Sequence, residues 1–449
     1  MKRRNIDATD NNVLDSIRNN TLGRNIDVKE TIELLERIEG NFFISLDAKW
    51  GNGKTFFVRQ TEKTLEYLTK KTWPMDESDK KQVEDLKKFF GRTDLENLNI
   101  QQSYLPIYYN AWLYDNHNDP LLSLVHVISK LIDVNTKLPQ DKKVTILNLL
   151  YTLTVAVNLG KTPVSVGVNP NVHSGNKDIL DEIKTSEEIR TIVKNVFDEV
   201  ITERAQRLVI FLDELDRCRP DYAIQTLGRI KHYFDDDRII IIASINKEQL
   251  AHTVRNVYGE YFDASGYLNR FFDLSLHLPN RSIDTYLKQL HLQNYSSNML
   301  TQVSNELKEQ YNLSIRESVL FSSKIQAIEE NSSGNYGNGE WAFLSVLIPC
   351  ITLLEIRNVG EKLKVLEGDG LDIIKRIVEN SEKAKKAIIY LVEESQVTDD
   401  TYSRGWEEFS RIYKFAFKGS EGFGFYPGKM EIRKNIAEIC IRLCNEGYV

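Results

Sequence analysis

The sequence predicts an α/β fold: a three-layer core with a mostly parallel sheet, followed by an all-helical C-terminal domain. Three near-continuous apolar runs, NFFISLDA, RLVIFLD and RIIIIASIN, are typical of strands that are buried on both faces. Segments of helical spacing separate these runs, as in parallel sheets covered by helices. From about residue 281 onward helical periodicity dominates. The expected domains are therefore residues 1–280 and 281–449.

The first half of the predicted core is built around one glycine-rich loop. Residues 28–39 have the apolar spacing of a helix, and the strand NFFISLDA follows them. This strand runs directly into the loop WGNGKT, and a second helix begins at Lys54. A strand, a glycine-rich loop and a helix, in this order, are what a phosphate-binding site requires.

Two segments are predicted to be insertions in this core. Residues 71–103 are charged and uneven, which indicates a surface insertion of helix and loop. A β-like run, YLPIYYNAWLY (104–114), follows it, and then a helix from about Pro120. The second insertion, residues 144–177, begins with the apolar stretch 144–159 and continues as a strand or hairpin with a loop.

The remaining strands belong to the second half of the core. A helix is expected from about residue 178 to 207, and the strand RLVIFLD then ends in two acids. The next helix starts at Pro220, because proline suits a first turn, and ends near residue 234. The strand RIIIIASIN follows, and LSLHLP (274–279) is expected to be the last strand of the sheet.

Composition limits the class of protein. The chain of 449 residues is 41% hydrophobic and 27% charged, as in ordinary soluble proteins, and its net charge is −7. A negative chain has no global field for non-specific nucleic-acid binding, so a nucleic-acid partner is possible but unsupported. The stretch 144–159 is shorter than the roughly 20 apolar residues that span a bilayer, which predicts no membrane span.

Cysteine usage and the first residues predict a cytoplasmic protein. Only four cysteines occur, and the N-terminal MKRRNIDATDNN lacks the apolar run of a signal peptide. Cys440 and Cys444 lie one helical turn apart, which could make half of a metal site. An apolar stripe shared with Ile436 and Leu443 explains the pair better, because no second Cys/His pair is spaced to complete a site.

The loop before Lys54 carries a candidate nucleotide site. Backbone N–H groups at a helix start and the positive end of the helix dipole attract anions. Glycine at positions 51 and 53 lets the loop curl, Lys54 would reach the β- and γ-phosphates, and Thr55 would bind Mg²⁺. The predicted nucleotide-binding residues of this loop are Ala48, Lys49, Trp50, Gly51, Asn52, Gly53, Lys54, Thr55 and Phe56.

Ala48 occupies the position where such loops usually begin with glycine. The position lies next to the strand end, away from the glycines that approach phosphate. A methyl group is tolerated there if φ is negative and would clash if φ were positive. We therefore predict a negative φ at Ala48.

Two carboxylates at the end of RLVIFLDE complete the candidate site. A nucleotide hydrolase of this kind needs an acid at the tip of a neighbouring strand for Mg²⁺, and usually a second to orient or deprotonate the attacking water. Asp213 is predicted to bind Mg²⁺ together with Thr55, and Glu214 to be the base. The alternative is that two solvated acids merely cap a strand; the preceding phosphate loop disfavours it.

Three polar residues and two tryptophans are weaker candidates. Asn246, after RIIIIASI, could sense the γ-phosphate or position water, and an ordinary helix N-cap is an equally good and compatible alternative. Arg270 could pair with the γ-phosphate of a neighbouring subunit, although a surface arginine is the more common case. Arg357 could reach the nucleotide from the helical domain. Trp50 and Trp112 are expected to pack rather than to stack on a base.

Taken together, these residues resemble a known family. Four stretches are similar to motifs of the KAP family of P-loop NTPases: AKWGNGKTFF, NAWLY, LDELDRCRP and YLNRFFDLSLHLP. The resemblance extends from about residue 22 to about 280, and more faintly to Arg357. Where the family often has Asp-Asp, this chain has Asp213-Glu214, which still provides a metal ligand and a base.

The resemblance implies a P-loop ATPase core of the additional-strand class, akin to the signal-transduction NTPases that act as switches. It implies ATP and Mg²⁺ as cofactors, a protein partner or effector, a possible homo-oligomer, and a frequent role in excluding phage from bacteria. Many members carry transmembrane helices between the two nucleotide motifs, a place that residues 144–159 hold here.

We therefore expect an Mg²⁺-dependent ATP hydrolase that works as a nucleotide-driven switch. A nucleotide-binding assembly scaffold with little turnover is one alternative; loss of Glu214 or Thr55 would favour it, and both are present. A DNA-associated ATPase is another, for which the sequence has no basic tract. A GTP-type base-reading motif, NKxD, is not evident, because Gln249 stands where aspartate would be.

Overall fold

The computed structural model of the chain describes residues 7–74, 76–117, 119–135, 148, 179–279, 284–290, 292, 298–331, 336–418, 425–427, 431–433 and 435–446. The predicted insertion 144–177, with its apolar stretch 144–159, lies outside these residues apart from Asn148. Contacts divide the chain into two compact units, Asp7–Arg281 and Ser282–Val449.

Among the described residues, a five-stranded sheet forms the centre of the first unit. Its strands are β1 (Phe42–Asp47), β2 (Tyr104–Asn110), β3 (Arg207–Asp213), β4 (Ile239–Ile245) and β5 (Leu274–His277). Their spatial order is β2-β3-β4-β1-β5, and each pairing between neighbours is parallel. β3 and β4 are buried along their whole length, as their continuous apolar sequences predict.

Helices cover both faces of this sheet. They are α1 (Asp10–Asn19), α2 (Asn25–Leu35), α3 (Lys54–Thr72), α4 (Glu77–Phe90), α5 (Pro120–Asn135), α6 (Ile179–Arg204), α7 (Pro220–Tyr233), α8 (Lys247–Tyr258) and α9 (Ala264–Asn269). Ile44 and Leu46 of β1 belong to the hydrophobic cluster formed with α1, α2 and α3, whereas Phe43 belongs to the cluster formed with α5 to α8. The predicted three-layer α/β core is confirmed.

The charged segment 71–103 is anchored in the core. It contains α4 and a short 3-10 helix, Asp94–Asn97. Most of α4 is exposed, as expected of a surface insertion. Phe90 and Leu95 are nevertheless fully buried in the cluster on the α3 side of the sheet. The prediction of a surface segment was therefore wrong for these two residues. The charged residues around them make the stretch look exposed throughout.

The β-like run 104–114 ends earlier than predicted. β2 stops at Asn110, and Ala111–Tyr114 form a 3-10 helix. The side chain of Asn110 accepts a hydrogen bond from the backbone N–H of Trp112 over 3.1 Å. Such local capping by asparagine competes with continuation of a strand. Trp112 consequently lies outside the sheet.

The second unit is largely helical. Its helices are α10 (Asp284–Gln289), α11 (Met299–Gln310), α12 (Ile315–Asn331), α13 (Asn338–Arg357), α14 (Val359–Leu366), α15 (Leu371–Val378), α16 (Glu382–Tyr390), α17 (Asp399–Lys418) and α18 (Ile436–Glu446). Cys440 and Cys444 are buried in its hydrophobic cluster with Ile436 and Leu443, as their spacing predicts.

The all-helical expectation for this unit misses one short antiparallel pair, β6 (Phe425–Pro427) and β7 (Glu431–Arg433). Strands of three residues are too short to produce a recognisable alternation of polar and apolar residues in the sequence. The main assignment of helical structure to this region is confirmed.

Within the described residues one helix, α13, is long and apolar enough to cross a membrane by length and composition alone. In its most apolar window, 83% of the residues are buried inside the protein. A helix that is hydrophobic all round is also typical of the core of a globular unit. That the chain has no membrane span stays a prediction.

Candidate nucleotide-binding site

The carboxyl ends of β1, β3 and β4 bring together distant parts of the chain. Asp47 at the end of β1 lies opposite Ile245 of β4, and Asp213 at the end of β3 lies opposite Ser244. Because the strands are parallel, the loop after β1 and the acids after β3 emerge at the same edge of the sheet. Open α/β sheets bind their ligands at this edge.

The loop between β1 and α3 has the backbone conformation that the sequence predicts. Gly51 and Gly53 have φ values of +86° and +79°, in the left-handed region that glycine adopts at little cost. Ala48 does not have a positive φ, so the prediction for this residue is confirmed. Its N–H donates to the carbonyl of Ile245 over 3.2 Å and so extends the pairing of β1 with β4. An alanine here is compatible with the loop.

Lys54 begins α3 and folds back over the loop. Its Nζ donates to the carbonyl oxygen of Ala48 over 2.6 Å and to that of Lys49 over 3.5 Å. Burial lowers the pKa of Lys54, and neighbouring carboxylates, that of Asp216 first, act in the opposite direction. The ammonium group thus lies where phosphate oxygens could replace these two carbonyls as acceptors.

Asp213 is buried at the end of β3, with 1% of its surface exposed. The hydroxyl of Tyr108 donates to Oδ2 over 3.0 Å, whereas Oδ1 has no hydrogen-bond partner among the described residues. Burial raises the pKa of Asp213, while the nearby hydroxyls of Ser244, Thr55 and Tyr108 lower it. A buried carboxylate oxygen with unused acceptor capacity next to Thr55 suits a ligand of Mg²⁺.

The protein offers Mg²⁺ few groups of its own at this edge. In the part of the chain that the structure describes, no group of three or more histidine, cysteine, aspartate or glutamate side chains is arranged to hold a metal. Mg²⁺ at nucleotide sites is ordinarily bound by one or two carboxylates together with phosphate oxygens and water. Asp213 and Thr55 fit that arrangement.

Glu214 follows directly and has a φ of +60°, a left-handed conformation that is uncommon for residues other than glycine. The hydroxyl of Thr55 donates to its Oε1 over 3.3 Å, and Nε of Arg217 forms an ion pair with its Oε2. Burial first and Asp213 second raise the pKa of Glu214, while Arg217 lowers it. The carboxylate therefore faces the end of the loop with both oxygens engaged.

This geometry agrees with a comparison of the sequence with known families. The sequence profile of the KAP family P-loop domain matches residues 27–392, most of the chain. The chain belongs to this family. The KAP family match continues past residue 280, where the resemblance was expected to fade, and includes α16. No curated protein matches the chain.

Within this KAP domain the weaker candidates have different surroundings. Asn246 caps α8 by accepting from the N–H of Gln249 over 3.2 Å, so the helix-cap alternative is observed. Arg270 has an exposed side chain that contacts no partner among the described residues. Arg357 belongs to the second unit, where it forms an ion pair with Glu317 at 3.1 Å. A role of these residues at the nucleotide stays a prediction.

Arg24 lies just before the residues that the family profile matches, and it is a buried residue that the sequence does not reveal, with 1% of its surface exposed. Its Nη2 donates to the carbonyl of Asn52 in the phosphate loop over 3.3 Å. Its Nη1 donates to Asp27 over 3.1 Å and to the carbonyl of Pro279 over 2.5 Å. The guanidinium thus joins the loop to α2 and to the segment after β5. Partners up to 255 residues away leave no local pattern.

Two exposed tryptophans contact the 3-10 turn Leu215–Arg217 that follows Glu214. Trp50 and Trp112 are 45% and 50% exposed, so neither is buried in the core, and the expectation that they pack rather than stack on a base stays a prediction. Nε1 of Trp50 donates to Asp216, and the guanidinium of Arg217 lies 5.7 Å from the centre of the Trp112 ring. The NAWLY and LDRC motifs of the KAP family therefore meet in space.

A cavity of about 240 Å³ opens beside the first turn of α3. Asp27 and Thr31 of α2, Phe57 of α3, and Leu276 and Pro279 at the end of β5 contribute to its walls. Apolar walls with a few polar groups are typical of pockets that bind small ligands.

Proposed function

We propose that the protein is an Mg²⁺-dependent ATP hydrolase that acts as a nucleotide-driven molecular switch. One observation carries the proposal: a glycine loop with Lys54 and Thr55 meets Asp213 and Glu214 at one edge of a parallel sheet. The KAP family match supports nucleotide binding and hydrolysis in general. The choice of ATP and Mg²⁺, and the switch, belong to the proposal.

In this proposal the loop and Lys54 bind the phosphates. The positive φ values at Gly51 and Gly53 turn the backbone so that N–H groups at the start of α3 face the anion. Lys54 gives up the carbonyls of Ala48 and Lys49 and donates to the β- and γ-phosphates instead. A phosphate oxygen carries a negative charge that a carbonyl oxygen lacks, and its attraction to the ammonium favours the exchange.

Thr55 and Asp213 would hold the metal ion. Mg²⁺, when bound, would supply positive charge that offsets the charge developing on the phosphates. The hydroxyl oxygen of Thr55 and Oδ1 of Asp213, which has no hydrogen-bond partner in the described chain, are the groups that would hold it.

Glu214 would act as the general base. Oε1, which keeps a lone pair beside its hydrogen bond from Thr55, would accept a proton from a water molecule aimed at the γ-phosphorus. Asn246, at the end of the adjacent strand β4, is placed to hold that water or the γ-phosphate, and its cap on α8 keeps the side chain in position.

We place the nucleoside in the cavity lined by α2, α3 and the end of β5. Phe57 and Leu276 supply apolar surface for a flat base, and Asp27 and Thr31 supply polar groups at its edge. Arg24 ties this cavity to the phosphate loop through Asn52. Calorimetric titration with ATP, GTP and CTP in the presence of Mg²⁺ tests the assignment. Tighter binding of ATP supports it, and equal binding of all three contradicts a base-reading role for the cavity.

The cellular part of the proposal is a switch in the bacterial cytoplasm that contributes to defence against phage, with a protein effector and a homo-oligomeric state. The resemblance to the KAP family supports it. Plating of phages on cells that express wild type or Lys54→Ala protein tests it. Equal plating across a broad phage panel contradicts the defence role.

A nucleotide-binding assembly scaffold is the second candidate function. The observation in its favour is that Thr55 and Arg217 occupy both oxygens of Glu214. The two functions separate in one experiment that measures ATP binding and ATP consumption on the same sample, with Mg²⁺ or with EDTA. Consumption that requires Mg²⁺ supports the hydrolase. Tight binding without consumption supports the scaffold.

A further inference from the structure

Arg217 contacts Glu214, the candidate general base. Its Nε pairs with Oε2 of Glu214, while the other oxygen, Oε1, accepts from the hydroxyl of Thr55 over 3.3 Å. Thr55 donates only its hydroxyl hydrogen to Oε1, so its oxygen stays available as the expected Mg²⁺ ligand and Oε1 keeps a second lone pair. Arg217 holds the other carboxylate oxygen through its ion pair.

The backbone fixes Arg217 next to this carboxylate. Glu214 takes up φ +60°, and the 3-10 turn Leu215–Arg217 follows at once, with the N–H of Arg217 donating to the carbonyl of Glu214 over 3.1 Å. A left-handed conformation of a residue other than glycine is strained and persists only where its surroundings hold it. The turn brings the two side chains, three residues apart, face to face.

Trp112 also contacts Arg217. The guanidinium carbon lies 5.7 Å from the centre of the indole ring, within the range of a cation–π contact. Trp112 is itself held by the 3-10 helix Ala111–Tyr114, which the side chain of Asn110 caps. The arginine therefore contacts both an indole and the carboxylate, with 30% of its side chain exposed.

We propose that Arg217 is a positioning residue for hydrolysis: it retains Oε2 of Glu214 so that Oε1, which keeps a lone pair beside its hydrogen bond from Thr55, points at the attacking water. This inference rests on the proposed function. In the step, an O–H bond of water breaks and its proton passes to Oε1. The water oxygen bonds to the γ-phosphorus, and the bond between this phosphorus and the bridging oxygen breaks, so that ADP leaves with the electron pair.

The test compares steady-state ATP hydrolysis by wild type, Arg217→Ala and Arg217→Lys, with nucleotide affinity and thermal unfolding measured on each protein. Arg217→Ala is expected to lower kcat about 10- to 100-fold, because general-base catalysis contributes about 10²- to 10⁴-fold in total. KM should stay within about threefold, because Arg217 does not contact the phosphate loop. Arg217→Lys should recover part of the loss, and added guanidinium ion should partly restore Arg217→Ala.

Arg219→Ala provides the matched control. This arginine is two residues away, is exposed, and pairs with Asp221 at 3.4 Å rather than with Glu214. Its removal should leave kcat and KM unchanged. Unchanged kcat in Arg217→Ala, or a loss that neither lysine nor guanidinium recovers, would overturn the positioning role while wild-type activity stands. Wild type without hydrolysis above a Lys54→Ala background would instead overturn the proposed function, and the positioning role with it.

Discussion

The hydroxyl of Thr55 donates to Oε1 of Glu214 over 3.3 Å, joining two residues that are 159 positions apart in the sequence. One is the last residue of the phosphate-loop motif and the other follows the sheet's third strand. The contact shows that the two halves of the candidate site, the phosphate loop and the acids after β3, lie next to each other. Because Thr55 donates through its hydroxyl hydrogen, the lone pairs on its oxygen remain available to a metal ion while the contact to Glu214 is kept.

Replacement of Thr55 is expected to separate metal binding from nucleotide binding. Thr55→Ala removes the hydroxyl, and a hydrogen bond to a charged group contributes about 1.5–3 kcal/mol. The affinity for ATP with Mg²⁺ should therefore fall about tenfold or more, as measured by calorimetric titration. The affinity for ATP in EDTA should not change. Thr55→Ser retains the hydroxyl and serves as the control; an equal loss in both variants would contradict the role.

Glu62 provides a pH-dependent test of stability. Burial raises the pKa of Glu62 to about 7, despite the opposing charges of Arg59 and Lys63. In the unfolded chain this carboxyl titrates near its ordinary value, so the folded protein binds the extra proton between about pH 4.5 and 7. The stability that this group contributes is present at low pH and is lost as the pH rises through about 7.

Glu62→Gln is therefore expected to stabilise the protein at pH 8 and to change little at pH 5. Each pKa unit corresponds to about 1.4 kcal/mol, so the gain should be about 1–3 kcal/mol in the free energy of unfolding. Urea unfolding at both pH values measures it. A gain that is the same at pH 5 and pH 8 would show that ionisation of Glu62 is not its cause.

Glu66, one turn farther along α3, should respond with the opposite sign. Burial acts to raise its pKa, but Lys63 and Lys70 outweigh burial and hold the pKa below the ordinary value. The stability from this group is present at neutral pH and is lost as the pH falls through the folded pKa. Glu66→Gln should therefore lower the midpoint of urea unfolding at pH 7 and have less effect near pH 3. Stabilisation at pH 7 would contradict the ion-pair assignment.

Arg24 should matter for both stability and nucleotide affinity. Removing one partner from a buried ion pair costs about 3–5 kcal/mol, and Arg24→Ala also frees the carbonyls of Asn52 and Pro279. Unfolding should therefore occur at markedly lower urea, and the affinity for ATP should fall because the loop loses its link to α2. Arg24→Lys should recover only part of the lost stability and affinity, since an ammonium group cannot reproduce the planar, forked set of donors of a guanidinium.

Arg18→Ala is the matched control for Arg24. Arg18 lies on α1, is 45% exposed, and pairs with Asp15 at 2.7 Å on the surface. Surface ion pairs contribute about 0–1 kcal/mol, so this variant should resemble wild type in both measurements. Equal behaviour of the two variants would remove the structural role assigned to Arg24.

Much of the site was predictable because each half is a local pattern. The glycines, Lys54 and Thr55 follow a strand and open a helix, and Asp213 and Glu214 end an apolar run, so the parallel sheet alone brings them to one edge. Even the conformation of Ala48 follows from its position next to the strand. These predictions needed only periodicity and the rule for parallel strands.

The residues that support the site could not be predicted in the same way. Arg24 has partners 28 and 255 residues away, and Trp112 meets Arg217 only because a capped 3-10 turn ends β2 at Asn110. Such contacts are set by tertiary packing and leave no periodic signal. The same is true of Leu95, an apolar residue in a charged stretch that is buried against the sheet.

Phosphate release from ATP by the purified protein with Mg²⁺ tests most directly whether this site hydrolyses ATP. The release is compared among wild type, Lys54→Ala and Glu214→Gln. Lys29→Ala, which removes an exposed lysine on α2 that lies 3.9 Å from Glu33, is the control for loss of a positive charge. Wild type and Lys29→Ala should release phosphate. Lys54→Ala should lose both ATP binding and phosphate release, whereas Glu214→Gln should still bind ATP but release no phosphate. Equal release by all four proteins, or none by wild type, would contradict ATP hydrolysis at this site.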